Sequence, residues 1–302
     1  MTFASLFIAI LLAWPGPPAD GGDVASCLHE SDWQPLALVS NHRDPPPATA
    51  RADQPAELPL LVEPDWDFAQ YREVSDFFNI REANPNVIGG EWEFQVPAAW
   101  TTRSAGGDDD FNLAGTLKFG VTDDLFVEIG VLPVNVGDGG DQGNGDMTIT
   151  LFERLVQEVE DRPSLAAWAS MRVPTGEGSS GVDGELHLAM TKTLVPSVRV
   201  HLEGFVQTAN GGRGDADDDQ RHFQWGLGPG IDYRFDETTI GVLNYLHRAS
   251  ERQGEGDRNV LEVGLARELR PGQTLKAAVD IGMDGQGDTP NFAAKILWSL
   301  KL

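Results

Sequence analysis

Charged side chains in this sequence recur at every second position of stretches that are otherwise apolar. Lys118 stands between Leu117 and Phe119, Glu128 between Val127 and Ile129, and Arg199, His201 and Glu203 alternate with Val198, Val200 and Leu202. In a β-strand successive side chains point to opposite faces, so this spacing gathers charge on one face and apolar groups on the other. Read this way, one face collects Lys118, Glu128, Arg154, Arg172, His187, Arg199, His201, Glu203, His222, Asp232, Arg234, Glu262, Lys276, Asp280 and Lys295. Both signs are present. Facing one another across a narrow enclosed space, such groups line a polar path that selects solutes, as rings of charge do in channels. Alternatively they pair into a salt-bridge network that fills the space and blocks flow. The pattern leaves both open.

Catalysis has weaker support. His187, His201, His222 and His247 are available as bases, but no serine sits in a nucleophile-elbow pattern, and most of these histidines fall on the charged face. Aspartates cluster at 108–110, 138–146 and 215–219. The run Asp138-Gly139-Gly140-Asp141-Gln142-Gly143-Asn144-Gly145-Asp146 has calcium-binding atom types but not the EF-hand spacing, so solvated loops are the expectation. No His/Cys group has zinc spacing and no glycine-rich stretch forms a phosphate loop. No cofactor and no metal are implied.

The elements that must position these residues are strands. Residues 144–176 read as a hairpin, with one strand from Asp146 to about Val156 and another from Leu165 to Val173, stopped by Pro174-Thr175-Gly176. Each strand is roughly ten residues, the length needed to cross a bilayer at a tilt. In the second, Leu165, Ala167, Ala169, Met171 and Val173 share one face, and Ala166, Trp168, Ser170 and Arg172 the other. Period-two stretches run from Gly90 to Leu302, and the one over about 238–248 is the least regular. They number about twelve, and short turns such as Gly120–Asp124 and Pro271-Gly272 alternate with longer Gly/Asp-rich loops.

That pattern predicts an all-β fold, an antiparallel transmembrane β-barrel of about twelve strands with both ends in the periplasm. A closed barrel leaves no unpaired edge in hydrocarbon. No stretch reaches the roughly 20 apolar residues of a transmembrane helix. The mean hydropathy of -0.26 is compatible with barrel strands, which alternate polar and apolar residues. A soluble ligand-binding barrel or sandwich, with its apolar face inward, is the alternative, and it fits the loop asymmetry less well.

The 302 residues hold one cysteine, Cys27, so no intrachain disulfide framework holds the fold. A formal charge of -25 argues against nucleic acid as a partner. Three regions are expected: a signal peptide at 1–26, a Pro-rich linker or periplasmic extension at 27–88, and the barrel at 89–302. Phe3 to Trp14 suit a signal h-region, although no Lys or Arg precedes them. Val24-Ala25-Ser26-Cys27 resembles a lipidation box but lies far from that run. Residues 28–64, rich in Pro, Ala and Asp, predict an extended or disordered linker. Residues 65–82 predict a short amphipathic helix or an irregular segment at the barrel mouth, with Phe68, Tyr71, Phe77 and Phe78 in packing roles. Whether 28–88 plug the barrel or hang in the periplasm is left open.

Several short pieces recur in a familiar order: Gly90-Glu91-Trp92-Glu93, Phe119-Gly120-Val121-Thr122-Asp123-Asp124-Leu125, Gly145-Asp146-Met147-Thr148 and Val173-Pro174-Thr175-Gly176. Over about 90–302, most strongly 90–195, the chain resembles the outer-membrane barrel family known as "MetA-pathway of phenol degradation", a group of transporters. Its final residue, Leu302, departs from the aromatic residue common at barrel C-termini, with Trp298 four earlier. The resemblance implies an outer-membrane channel or transporter, not an enzyme, for small, hydrophobic or aromatic solutes. Its partners would be outer-membrane lipid, the insertion machinery and a solute that the sequence does not name. A structural or plugged barrel without a solute path is the second reading.

Overall fold

The structure, a computed structural model, describes residues 76–103, 109–137, 143–176, 181–208, 221–250, 253–254, 256–283 and 290–302. The expected signal segment, Cys27, the Pro-rich stretch at 28–64, Phe68, Tyr71, Asp108, Asp138, Asp141 and the aspartates at 215–219 lie outside the described residues.

The strands are β1 (Trp92–Arg103), β2 (Asp110–Gly120), β3 (Leu125–Gly137), β4 (Gly143–Asn144), β5 (Met147–Val156), β6 (Ser164–Val173), β7 (Asp183–Val195), β8 (Val198–Thr208), β9 (Phe223–Arg234), β10 (Thr239–Arg248), β11 (Arg258–Arg270), β12 (Gln273–Gly282) and β13 (Pro290–Lys301). Each long strand pairs antiparallel with its neighbours in sequence. The two-residue β4 only extends the pairing of β3. β1 pairs with β13 from Glu93 opposite Lys301 to Thr102 opposite Phe292, which closes the sheet into a twelve-strand barrel. Closure satisfies the backbone of every long strand on both edges.

Short turns and both barrel termini share one end. There Leu302 N–H donates to Trp92 O at 2.8 Å. At Pro271-Gly272 the proline fixes the first corner and Gly272 supplies φ 76°, the requirement of a type II turn. Thr238 N–H donates to Asp236 Oδ1 at 2.8 Å in another.

Alternation is cleanest in β9, where Phe223, Trp225, Leu227, Ile231 and Tyr233 are exposed while Gln224, Gly226, Gly228, Gly230, Asp232 and Arg234 are buried. Outward positions elsewhere are Leu188, Leu202, Leu243, Val263, Ile281 and Ile296, all exposed. Aromatic residues flank this apolar band: Trp92, Tyr233 and Phe235 at the short-turn end, and Trp100, Phe111 and Trp225 toward the loops. Such a band between aromatic girdles is the outer surface of a membrane barrel. Among the described residues no helix is long and apolar enough to cross a membrane.

The interior is not purely polar. Ile240, Val242, Ala266 and Ala278 point inward and pack with Phe78. Phe126, Phe152, Ala166, Trp168 and Ala189 do so with Ala83 and Val87. This explains why the stretch at 238–248 looks irregular in sequence. Its inward positions, Ile240 and Val242, are apolar because they face a segment of the chain instead of water.

Candidate lumen site

That segment is residues 76–88. They are irregular, not helical, and run through the barrel interior. The strap, as we term it, has buried Phe78, Ile80, Arg81, Glu82, Ala83, Asn84, Asn86 and Val87. Glycines on the wall make room for it. A Cβ on Gly264 would lie 2.2 Å from Phe78 Cε1, and one on Gly228 would lie 2.6 Å from Ile80 Cδ1.

Lacking secondary structure, the strap must satisfy its backbone on the wall. Asn79 N–H donates to Glu262 Oε2 at 2.7 Å, Arg81 N–H to Glu203 Oε2 at 2.5 Å, and Ala83 N–H to Thr191 Oγ1 at 2.8 Å. Ser164 Oγ–H reaches Asn84 Oδ1 at 3.1 Å.

Three charged clusters fix its side chains. In the first, Arg199 Nη1 donates to Glu82 Oε2 at 2.6 Å and Nη2 to Asp232 Oδ2 at 2.6 Å. His201 completes the cluster, with Nε2 3.0 Å from Asp232 Oδ2 and Nδ1 2.9 Å from Thr191 Oγ1. In the second, Asp76 pairs with both Lys118 and Lys276, the latter at 2.9 Å, and accepts from Gln95 Nε2 at 2.7 Å. Lys118 also lies 3.5 Å from Glu128, and Asn86 Nδ2 donates to Glu93 at 2.5 Å. In the third, Lys295 pairs with Glu262, sits 3.2 Å from Asp280, and donates to Asn79 Oδ1 at 3.0 Å. Asn244 Nδ2 donates to Glu262 at 2.7 Å.

Most of the charged residues read from the sequence therefore converge on the strap or its clusters. Arg172 is inward but nearer the loops, where it pairs with Asp146 and Asp183. Arg154 and Arg234 brace short turns, through Asp124 Oδ1 at 2.7 Å and Asp236 O at 3.1 Å respectively. His222 stands apart from these clusters: it lies one residue before β9 and is exposed.

Sequence reading missed a row of rings on the inward face. Lateral register aligns Phe126 of β3, Phe152 of β5, Trp168 of β6, His187 of β7 and Phe205 of β8. Successive centroids are 4.7, 5.8, 4.6 and 5.0 Å apart, with planes within 13–26° of parallel. Trp168 shares a face with Arg172, and Phe126 shares one with Glu128. An aromatic on the charged face was the available signal.

Among the described residues, two cavities lie in the lumen beside the strap. One, of about 190 Å³, is bordered by Thr150, Ser170, Arg172, Asp183, Glu185 and Gln207 toward the loops. The other, of about 300 Å³, is bordered by Asp76, Phe77, Gln95, Thr116, Glu128 and Lys295. Charged and neutral polar side chains border both, and the strap lies across the short-turn half. Among the described residues no group of three or more His, Cys, Asp or Glu side chains is placed to hold a metal ion.

No known family's sequence profile matches the chain, and no curated protein matches it. Among solved structures, the COG4313 outer membrane channel from Pseudomonas putida F1 is similar over 72% of this chain and 97% of its own, at 17% identity and a TM-score of 0.57. The NanC porin is similar over 68% of this chain and 100% of its own, at 10% identity and a TM-score of 0.50. At these identities the likeness is one of fold.

Proposed function

We propose that the chain is an outer-membrane barrel of a Gram-negative-type envelope, conducting small solutes through a lumen that residues 76–88 close when seated. The observation that carries this reading is a closed wall, apolar outside between aromatic girdles, around a charged and cavity-bearing interior. The similar structures are an outer membrane channel and a porin, which supports transport over catalysis. Small hydrophobic or aromatic solutes, which membership of the MetA-pathway type family would imply, suit the ring row facing the lumen. Outer-membrane lipid and the insertion machinery are the partners this reading requires.

The strap supports a second reading, a barrel permanently plugged and structural. Its ion pairs are buried, and buried pairs are costly to break. Planar-bilayer conductance decides between the two. Discrete steps in the refolded protein, or in a variant with a weakened strap, establish a solute path. Insertion without steps in either establishes the plugged barrel. A folded protein that stays soluble and never inserts overturns the membrane reading.

A further inference from the structure

Arg81 of the strap is buried to 8% exposure, and its Nε and Nη2 have no hydrogen-bond partner among the described residues. A guanidinium loses much hydration on burial, so something else must hold it. Its Cζ lies 5.3 Å from the centroid of Phe126, 4.9 Å from Phe152 and 5.0 Å from Trp168. These are cation–π distances. The carboxylates of Glu128 and Glu203 add attraction from the wall. Other cations attend the ends of the row, Lys118 Nζ at 5.7 Å from Phe126 and Arg248 Cζ at 5.6 Å from Phe205. His187, stacked within it, has a carboxylate at each nitrogen, Glu203 at 2.9 Å and Glu185 at 3.1 Å.

We propose that the ring row is a binding site for planar organic cations, amidinium or guanidinium compounds, and that Arg81 is its built-in occupant. The strap thus stands in for the ligand. Displacing Arg81 uncovers three aromatic faces beside carboxylates, a surface that takes a flat cation and discriminates against its neutral and anionic isosteres. This rests on the channel reading for its purpose, since the site then lies along the solute path, but not for its chemistry.

The test is calorimetric titration of the full-length protein refolded in detergent, with benzamidinium as probe and benzamide and benzoate as controls. Folding is checked by heat-dependent gel mobility. Arg81→Gln should bind benzamidinium roughly tenfold or more tightly than wild type, and benzamide and benzoate at least about tenfold more weakly than benzamidinium. Adding Trp168→Leu should reverse the gain, and Arg81→Lys, which keeps a cation over the rings, should not show it. Because an arginine variant can misfold, Glu82→Gln, which leaves Arg81 present but loosens the strap, is titrated as well and should also gain affinity. No gain in any folded variant, equal binding of benzamide, or indifference to Trp168→Leu overturns the site. Binding in detergent needs no conduction. A barrel that binds benzamidinium but never conducts loses the solute path and keeps the site, whereas one that conducts without the selective binding keeps the path and loses the site.

Discussion

Arg199 and Glu82 are 117 residues apart in sequence and 2.6 Å apart in the barrel, both almost wholly buried. The contact ties the strap to β8. It is not symmetric in consequence, because Arg199 also holds Asp232 through two nitrogens whereas Glu82 has Arg199 as its cationic partner.

Glu82→Gln should therefore loosen the strap and spare the wall. Removing one member of a buried pair costs about 3–5 kcal/mol, but here Asp232 still neutralises Arg199. The readout is limited trypsin digestion. Arg81 is a buried cleavage site while the strap is seated, so the variant should be cut there faster than wild type with barrel melting little changed. Arg199→Met strands Glu82 and Asp232 together and should lower the melting temperature as well. Equal protection of residue 81 in wild type and Glu82→Gln would remove the pair from the latch.

Asp76 bridges Lys118 and Lys276, whose side chains are fully buried. Lys118 retains Glu128 if Asp76 is neutralised. Asp76→Asn should weaken the strap by about 3 kcal/mol, at the lower end of the cost of breaking a buried pair. The pair is shielded from solvent, so the effect on trypsin protection should persist between low and high salt. Loss of the effect in high salt would place the bridge in water.

The strap also rests on absent side chains. Gly264→Val would drive a side chain into the space of Phe78, an overpacking that costs about 1–3 kcal/mol. It should raise conductance without changing any charge. Combining it with Phe78→Ala should restore strap protection in part, since the added volume meets a removed one. Two changes that simply add, with no mutual rescue, would mean that Phe78 does not seat against Gly264.

How much of this could be read from the chain depends on the direction of the contacts. Strand faces were legible because alternation is local: Arg199, His201 and Glu203 need only Val198, Val200 and Leu202 to be assigned. The strap was not legible as a lumen element. It has no periodicity, and its bonds are distant, 122 residues from Arg81 to Glu203 and 200 from Asp76 to Lys276. The ring row needs lateral register between strands, which no single strand encodes. Phe152 looks like an ordinary apolar residue until Phe126 and Trp168 are placed beside it. Gly226, Gly228 and Gly230 at alternate positions were a legible hint, since inward glycines leave space that something must fill.

The membrane reading itself makes a prediction that a soluble barrel does not. Leu188 and Leu194 are both outward residues of β7 and equally exposed, at 60% and 59%. They differ in depth. Leu188 is mid-strand, opposite Ala167 and Gly204, whereas Leu194 is beside the short turn. In a bilayer, arginine at the midplane costs about 2–4 kcal/mol and near the interface about 0–1 kcal/mol. In water, two positions of equal exposure tolerate arginine equally, within about 0.5 kcal/mol. Folding into lipid vesicles, titrated with denaturant, should show Leu188→Arg destabilised well beyond Leu194→Arg. Equal, small effects at both positions would mean that the apolar outer band faces water, and the channel would fall with it.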